Sequence, residues 1–370
     1  MDMKKRSGVE RERVKDPVTG RSIWRLTTVS GAHDIQPYYD IDSWSPDGSK
    51  IIFSSAEEGT MRDGSIGGSQ AMLSDEGHIY TLDVKTGEIK WLIGNQPYDS
   101  HTGCYPIWHP SGKWMLFGSG LRGEDNLHMI VIDLATMKSE LFKGLRPRQV
   151  SPDGKSVLCL CDEGVSLFDF ENKTSKIILK FSDCVKLIPE KNPPEGAKWA
   201  VQNLKYNQDG TKFIMRFSSI PVTVKHLMTA NIDGTGLLRL DTPSYKWHHH
   251  SWLPDRQNIL FGDRDANGTP HLYQIGSDNR NLKMVSAHKL AGHPIASPDG
   301  KKIVTDDYSN DKKDCGIMLL DLETDRLEKL ASFTVNFKRS NAHPVWNHDG
   351  TQILYHSDHT GFSNLYLIDL

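Results

Sequence analysis

The chain has 370 residues, 37% hydrophobic and 25% charged, with a formal net charge of −3. This composition suits a folded protein with a sizeable core and excludes the global basic field of a nucleic-acid binder. No apolar run is long enough for a helical membrane span, and the five irregularly spaced cysteines (Cys104, Cys159, Cys161, Cys184 and Cys315) contain no CxxC pair, which excludes the usual zinc site and reads as buried thiols.

In chain order, the basic start (Lys4, Lys5, Arg6, Arg11, Arg13) reads as a solvated lead-in over residues 1–21. No apolar h-region follows Met1, so the expectation is a cytoplasmic protein, or a periplasmic one had a leader been removed. Ser22-Ile-Trp-Arg-Leu-Thr27 is the first strand-like run. A motif then recurs seven times: an aromatic or apolar residue, a turn rich in Asp-Gly, and a β-rich run. The copies start at Trp44, Trp108, Val150, Tyr206, Trp252, Ala296 and Trp346. Asp-Gly between two β-rich runs marks a hairpin, because Gly takes the positive φ the turn requires. A third strand follows in each copy and often a fourth, as in Lys85-Thr-Gly-Glu88 before IKWLIG.

Four antiparallel strands at this period make a propeller blade. The fold class is therefore all-β: one seven-bladed propeller of four-stranded antiparallel blades over 1–370. The seventh copy ends at Leu370 after three strands. The Ser22–Thr27 run is expected to supply its outer strand and close the ring, since an unpaired edge is a liability. Residues 56–77 and 187–198 exceed the pattern and read as long loops, a frequent place for function.

The strand before each turn lines a propeller's channel. Three positions before the aromatic residue stand Ile41, Tyr105, Pro147, Asn203, His249, His293 and His343. Histidine at one register in three consecutive blades points to a shared site. Convergent imidazoles suit a divalent ion, Mn first, with Zn or Ca as alternatives; the ligands expected are His249, His293 and His343. Nearby polar residues (His33, Gln36, Arg146, Gln202, Asn203, His250 and Arg264) are candidate substrate ligands. They suit an anionic, hydroxyl-rich partner such as a uronic-acid oligosaccharide, since Arg binds carboxylate bidentately. Asp306 and Asp307, at a strand end, read as turn residues. No nucleic-acid or membrane partner is expected, and the chain is expected as a monomer or weak homo-oligomer.

Laid out in blades, the chain resembles the oligogalacturonate lyases, seven-bladed propellers of pectin breakdown. The opening Asp16-Pro-Val-Thr-Gly-Arg-Ser-Ile-Trp-Arg-Leu-Thr27 is similar to that family's D-x-x-T-G-x-x-x-x-R-L-T. His249-His-Ser-Trp-Leu-Pro-Asp255 resembles its H-x-x-W-x-P-D, whose histidine is a metal ligand. The last blade, from His343-Pro-Val-Trp to LYLIDL, is similar too. The resemblance spans the chain in outline, although SPDG turns are shared with TolB-like propellers. Where the family's last-blade ligands read Q-x-x-H-x-H, this chain has Lys338, Asn341 and His343. The family's proposed base falls at Asn203, and His293 has the local Gly-His-Pro form two blades later.

The resemblance implies β-elimination at a 4-linked uronic acid, of galacturonate or glucuronate type. A cation neutralises the C6 carboxylate: the ion, or Arg148. A base takes the C5 proton, with His101 or His248 as candidates. Tyr105 or Tyr39 protonates the leaving O4. The alternatives are a glycosidase using a single histidine on rhamnosyl-glucuronate sugars, and a non-catalytic TolB-like binding propeller.

Overall fold

The computed structural model describes residues 3, 6–66, 69–119, 128–244, 248–290, 292–307, 315–333 and 341–370. It is an all-β, seven-bladed propeller of antiparallel blades. Two compact units divide the chain: residues 1–108 with 290–370, and residues 109–289.

The repeated turn is built from side chains. In the first copy Ser45 Oγ donates to Asp47 Oδ1 (2.6 Å) and Ser49 N to the same oxygen (3.0 Å), with Gly48 at φ +70°. These donors, Ser45 first, hold the Asp47 carboxyl down at about 2. Ser151–Asp153 and Ser297–Asp299 repeat the bond at 2.6 Å. The aromatic residue at the head of the motif staples neighbouring blades. Trp346 Nε1 donates to Ile295 O (3.1 Å) and Trp108 Nε1 to Ser43 O (3.3 Å) in the first unit. In the second, Trp252 Nε1 donates to Lys205 O (3.3 Å).

In the first unit, strands Gln352–Ser357 and Asn364–Asp369 of blade seven pair antiparallel, and Ser22–Arg25 adds to the outside with Trp24 opposite Leu367. Glu12–Lys15 pairs beyond it. The lead-in is therefore not simply solvated. Gly8–Val9 pairs with blade one, and Arg6 is buried with its guanidinium on Asp34 (2.7 and 2.8 Å) and Glu10 (2.9 Å). Lys4 and Lys5 lie outside the described residues.

The expected loop at 56–77 is largely a hairpin: Arg62–Ile66 pairs with Ser69–Asp83, a 15-residue strand that extends blade one. The glycines of this stretch masked the strands. In the second unit Phe181–Lys186 is a short helix before residues 187–198. All five cysteines are free thiols, and Cys161 is only half-buried.

Candidate metal and active site

A bulge marks this register in blades three, four and five, and a left-handed residue marks it in four blades. Tyr105, Asn203, His249 and His343 have φ of +56°, +50°, +38° and +48°. Register shifts fall between Pro147 and Gln149, Gln202 and Lys205, and His248 and His250. A left-handed residue other than glycine costs about 1–2 kcal/mol, and Asn and His tolerate it better than most. In blade six the left-handed position moves one residue back, to Gly292 (φ +101°). A Cβ there would lie 1.8 Å from Asp306 O, so only glycine fits.

His293 and His343 precede the short paired strands Ile295–Ala296 and Val345–Trp346, so their backbone N–H groups need partners outside the ladder. Asp306 supplies them. It lies on the strand Lys302–Asp307, fully buried, and is not a turn residue. It accepts from His293 N (2.7 Å), His293 Nδ1 (2.9 Å) and His343 N (3.1 Å). A carboxylate only accepts, so His293 carries its proton on Nδ1 and presents the Nε2 lone pair.

Three histidines meet here. One ligand atom each of His101, His293 and His343 lies within 4.8 Å of the other two, and all three side chains are buried. Ring centroids are 4.4 Å apart for His293–His343 and 4.8 Å for His101–His343. Tyr38 packs on all three, 4.7 Å from His343, 5.0 Å from His101 and 5.5 Å from His293. Tyr39 stands 4.9 Å from His293. The donor set fits a divalent ion of Mn or Zn type: three imidazole nitrogens, one of them oriented by a carboxylate behind it. It does not fit Ca, which takes oxygen ligands.

The structure thus brings His293 and His343 together with His101. The loop carrying His101 is pinned by Asp99, whose Oδ1 accepts from His101 N (2.8 Å). His249 belongs to the second unit, and His248 pairs through its backbone with Gly262. Of the other candidates in the first unit, His33 Nδ1 accepts from Ser363 N (3.3 Å). Burial lowers its pKa to about 4. Gln36 is fully buried and bonds to protein carbonyls. Tyr105 is buried. Asn341 is half-buried, and Lys338 lies outside the described residues.

The second unit holds a separate polar cluster. Arg148 and Arg146 are buried, at 2% and 9% exposure. Gln202 Oε1 accepts from Arg216, and Lys205 Nζ donates to His250 O. His250 Nε2 donates to the carbonyl of left-handed Asn203 (3.0 Å), and burial, then Lys205, holds its pKa well below the usual value. Burial, then Arg216, lowers Lys225 to about 8. Arg264 caps a turn, donating to Gly268 O (2.6 Å).

Sequence reasoning missed Tyr38 as a cluster residue, Asp306 and His356. The signal for the last two lies six residues after the turn glycine. There stand Ser54, Gly118, Leu160, Arg216, Gly262 (with Arg256 in the turn), Asp306 and His356. That position sits across the ladder from the residue preceding the inner register, as Gln202 faces Arg216 and His248 faces Gly262.

The buried histidines predict a pH dependence. His33 is lowered to about 4 and His356 to about 3, both by burial. Such groups take up a proton far more readily in the unfolded chain, so stability is full above about pH 6.5 and falls as pH drops towards 4. Each contributes on the order of 3 kcal/mol by pH 4. Urea titrations at pH 7, 5.5 and 4.5 should show a steep decline, moderated in His33→Gln.

Among solved structures, the chain is similar to an oligogalacturonate lyase in complex with manganese (17% identity, TM-score 0.73, covering 98% of this chain and 97% of that one). It is similar to an oligogalacturonate lyase from Vibrio parahaemolyticus at 14% identity and TM-score 0.73, over the same shares of both chains. The β-propeller domain of the Trilobed protease from Pyrococcus furiosus matches at 12% identity and TM-score 0.53, covering 92% and 96%. These likenesses establish the fold. No protein-family model and no curated protein matches the sequence.

Proposed function

We propose that the protein is a lyase that cleaves a 4-linked uronic acid in an oligosaccharide by β-elimination. The observation that carries this reading is the buried cluster of His101, His293 and His343 with Asp306 behind it. The structural neighbour in complex with manganese supports a divalent ion there. The three imidazoles would hold that ion, which when bound supplies positive charge to the C6 carboxylate and so acidifies the C5 proton. Asp306 fixes the His293 tautomer and ring angle. Tyr38 and Tyr39 exclude water from the histidines and bring phenol groups for proton transfer. His101 serves as the third ion ligand by its place in the cluster, and Tyr39, beside His293, is the base that takes the C5 proton while Tyr38 gives one to the leaving O4.

Oligogalacturonates and glucuronate-containing oligomers, offered to the purified protein with Mn, should yield an unsaturated product absorbing in the ultraviolet. Chelator should abolish it, Mn should restore it, and His343→Ala should abolish it in the folded protein. No such absorbance with any uronate substrate would overturn the lyase reading. Reducing ends released without the double bond would replace it with glycoside hydrolysis.

A further inference from the structure

Gln36 and His356 come from opposite ends of the chain and meet in the first unit. The Gln36 amide nitrogen donates to Ala342 O (3.0 Å) and His343 O (2.9 Å). Two carbonyl partners identify that atom as the NH2, so Oε1 is the atom 2.8 Å from His356 Nδ1. An amide oxygen only accepts, which puts the imidazole proton on Nδ1. His356 Nε2 is then a bare lone pair, fully buried, with no hydrogen-bond partner among the described residues. The His356 backbone N–H donates to Ala342 O (3.1 Å), and its ring lies 5.6 Å from that of His343.

We infer that Gln36 and His356 are positioning residues: they hold the His343 backbone in its left-handed conformation and so set where its imidazole stands in the three-histidine cluster. His343 is left-handed at φ +48° and precedes the paired strand Val345–Trp346, so no ladder takes its backbone groups and side chains take both. Asp306 accepts its N–H and Gln36 donates to its carbonyl. An extended His343 would swing that carbonyl away from Gln36. The Gln36 amide can serve only in one orientation, and the Nδ1–H of His356 fixes that orientation by claiming Oε1. A pair needed only to satisfy each other would not place both amide hydrogens on two consecutive carbonyls of the segment that carries a cluster histidine. Gln36 therefore acts on the cluster through the backbone, not on the substrate.

The inference concerns the conformation of His343, and only its consequence for ion binding rests on the metal reading above. Three variants test it: Gln36→Met, His356→Leu, and His356→Asn, whose side-chain NH2 replaces the Nδ1–H. Crystal structures of the metal-free proteins should show His343 leaving the left-handed region and its ring displaced in the first two, and neither change in His356→Asn. Mn affinity by calorimetry should fall about 10–100-fold in the first two, the range for lost supports behind a ligand, and recover in His356→Asn. If Gln36→Met does not fold, His356→Leu decides, since it leaves the amide present but unanchored. His343 unmoved in the folded variants would overturn the inference. A wild-type protein that binds neither Mn nor Zn would defeat the metal reading, and the His343 conformation would still decide the inference.

Discussion

Asp306→Ala should be among the most damaging single changes in the first unit's polar interior. The carboxylate collects three N–H groups: the backbone of His293, the ring of His293 and the backbone of His343. Each loses a charged acceptor in a buried place, at about 1–3 kcal/mol apiece. The metal-free protein should therefore lose at least about 3 kcal/mol in urea unfolding, with the slope unchanged. Asp306→Asn keeps an acceptor oxygen of the same shape and should lose less. Mn affinity should fall about 10–100-fold in both, because Asn cannot stabilise the Nδ1–H of His293 as a carboxylate does. The two readouts separate two roles. A stability loss without an affinity loss would make Asp306 a strut for the backbone alone. Full stability in Asp306→Ala would contradict the hydrogen bonding described here.

The fold was legible because the turn chemistry repeats. Ser, Asp and Gly at fixed offsets make a side-chain-bonded turn, and the aromatic residue before them bonds the preceding blade. Period and turn together leave little besides a propeller. The inner-strand register was legible for the same reason, and it led to His293 and His343. Two facts hid the rest. His101 sits four residues before the register of its own blade, in a loop whose shape depends on Asp99 accepting backbone N–H groups. A strand alignment cannot place such a residue. Asp306 follows a run of β-branched residues and precedes another aspartate, a pattern that reads as a strand fraying into a turn. Burial of a carboxylate at full depth is visible only once its three donors are in place. The repeat still held the clue. The position six after the turn glycine is polar in only some blades, and Asp306 and His356 occupy it in the two blades whose inner registers carry the cluster histidines His293 and His343. The two registers form one device: the inner position presents the imidazole, and the second-strand position or its partner holds the backbone behind it.

The lead-in produced the largest departure from expectation, and it carries the second strong prediction. Arg6 was one of five basic residues in a polar stretch, which is the usual mark of a solvated tail. Instead its guanidinium is enclosed. It grips Asp34 with two nitrogens and Glu10 with two, and lies 5.4 Å from the Tyr80 ring and 5.6 Å from that of Phe53. Nearby, Tyr80 donates its hydroxyl proton to Met3 O (2.6 Å). Asp34 has no exposure to water, so Arg6→Ala strands a buried carboxylate. Breaking such a pair by removing one partner costs about 3–5 kcal/mol. The loss should be read by urea unfolding and should change little with salt, because a buried pair is weakly screened. Replacing both partners, with Arg6→Met and Asp34→Leu, should recover most of it, since no charge is then left enclosed. Asp34 lies on the strand Ala32–Ile35 that runs directly into Gln36. Arg6→Ala should therefore also weaken Mn binding, by less than Gln36→Met does, and the double variant should restore it. A loss below about 1 kcal/mol in Arg6→Ala, the value of an exposed ion pair, would mean that the N-terminal strap is not anchored where the structure places it.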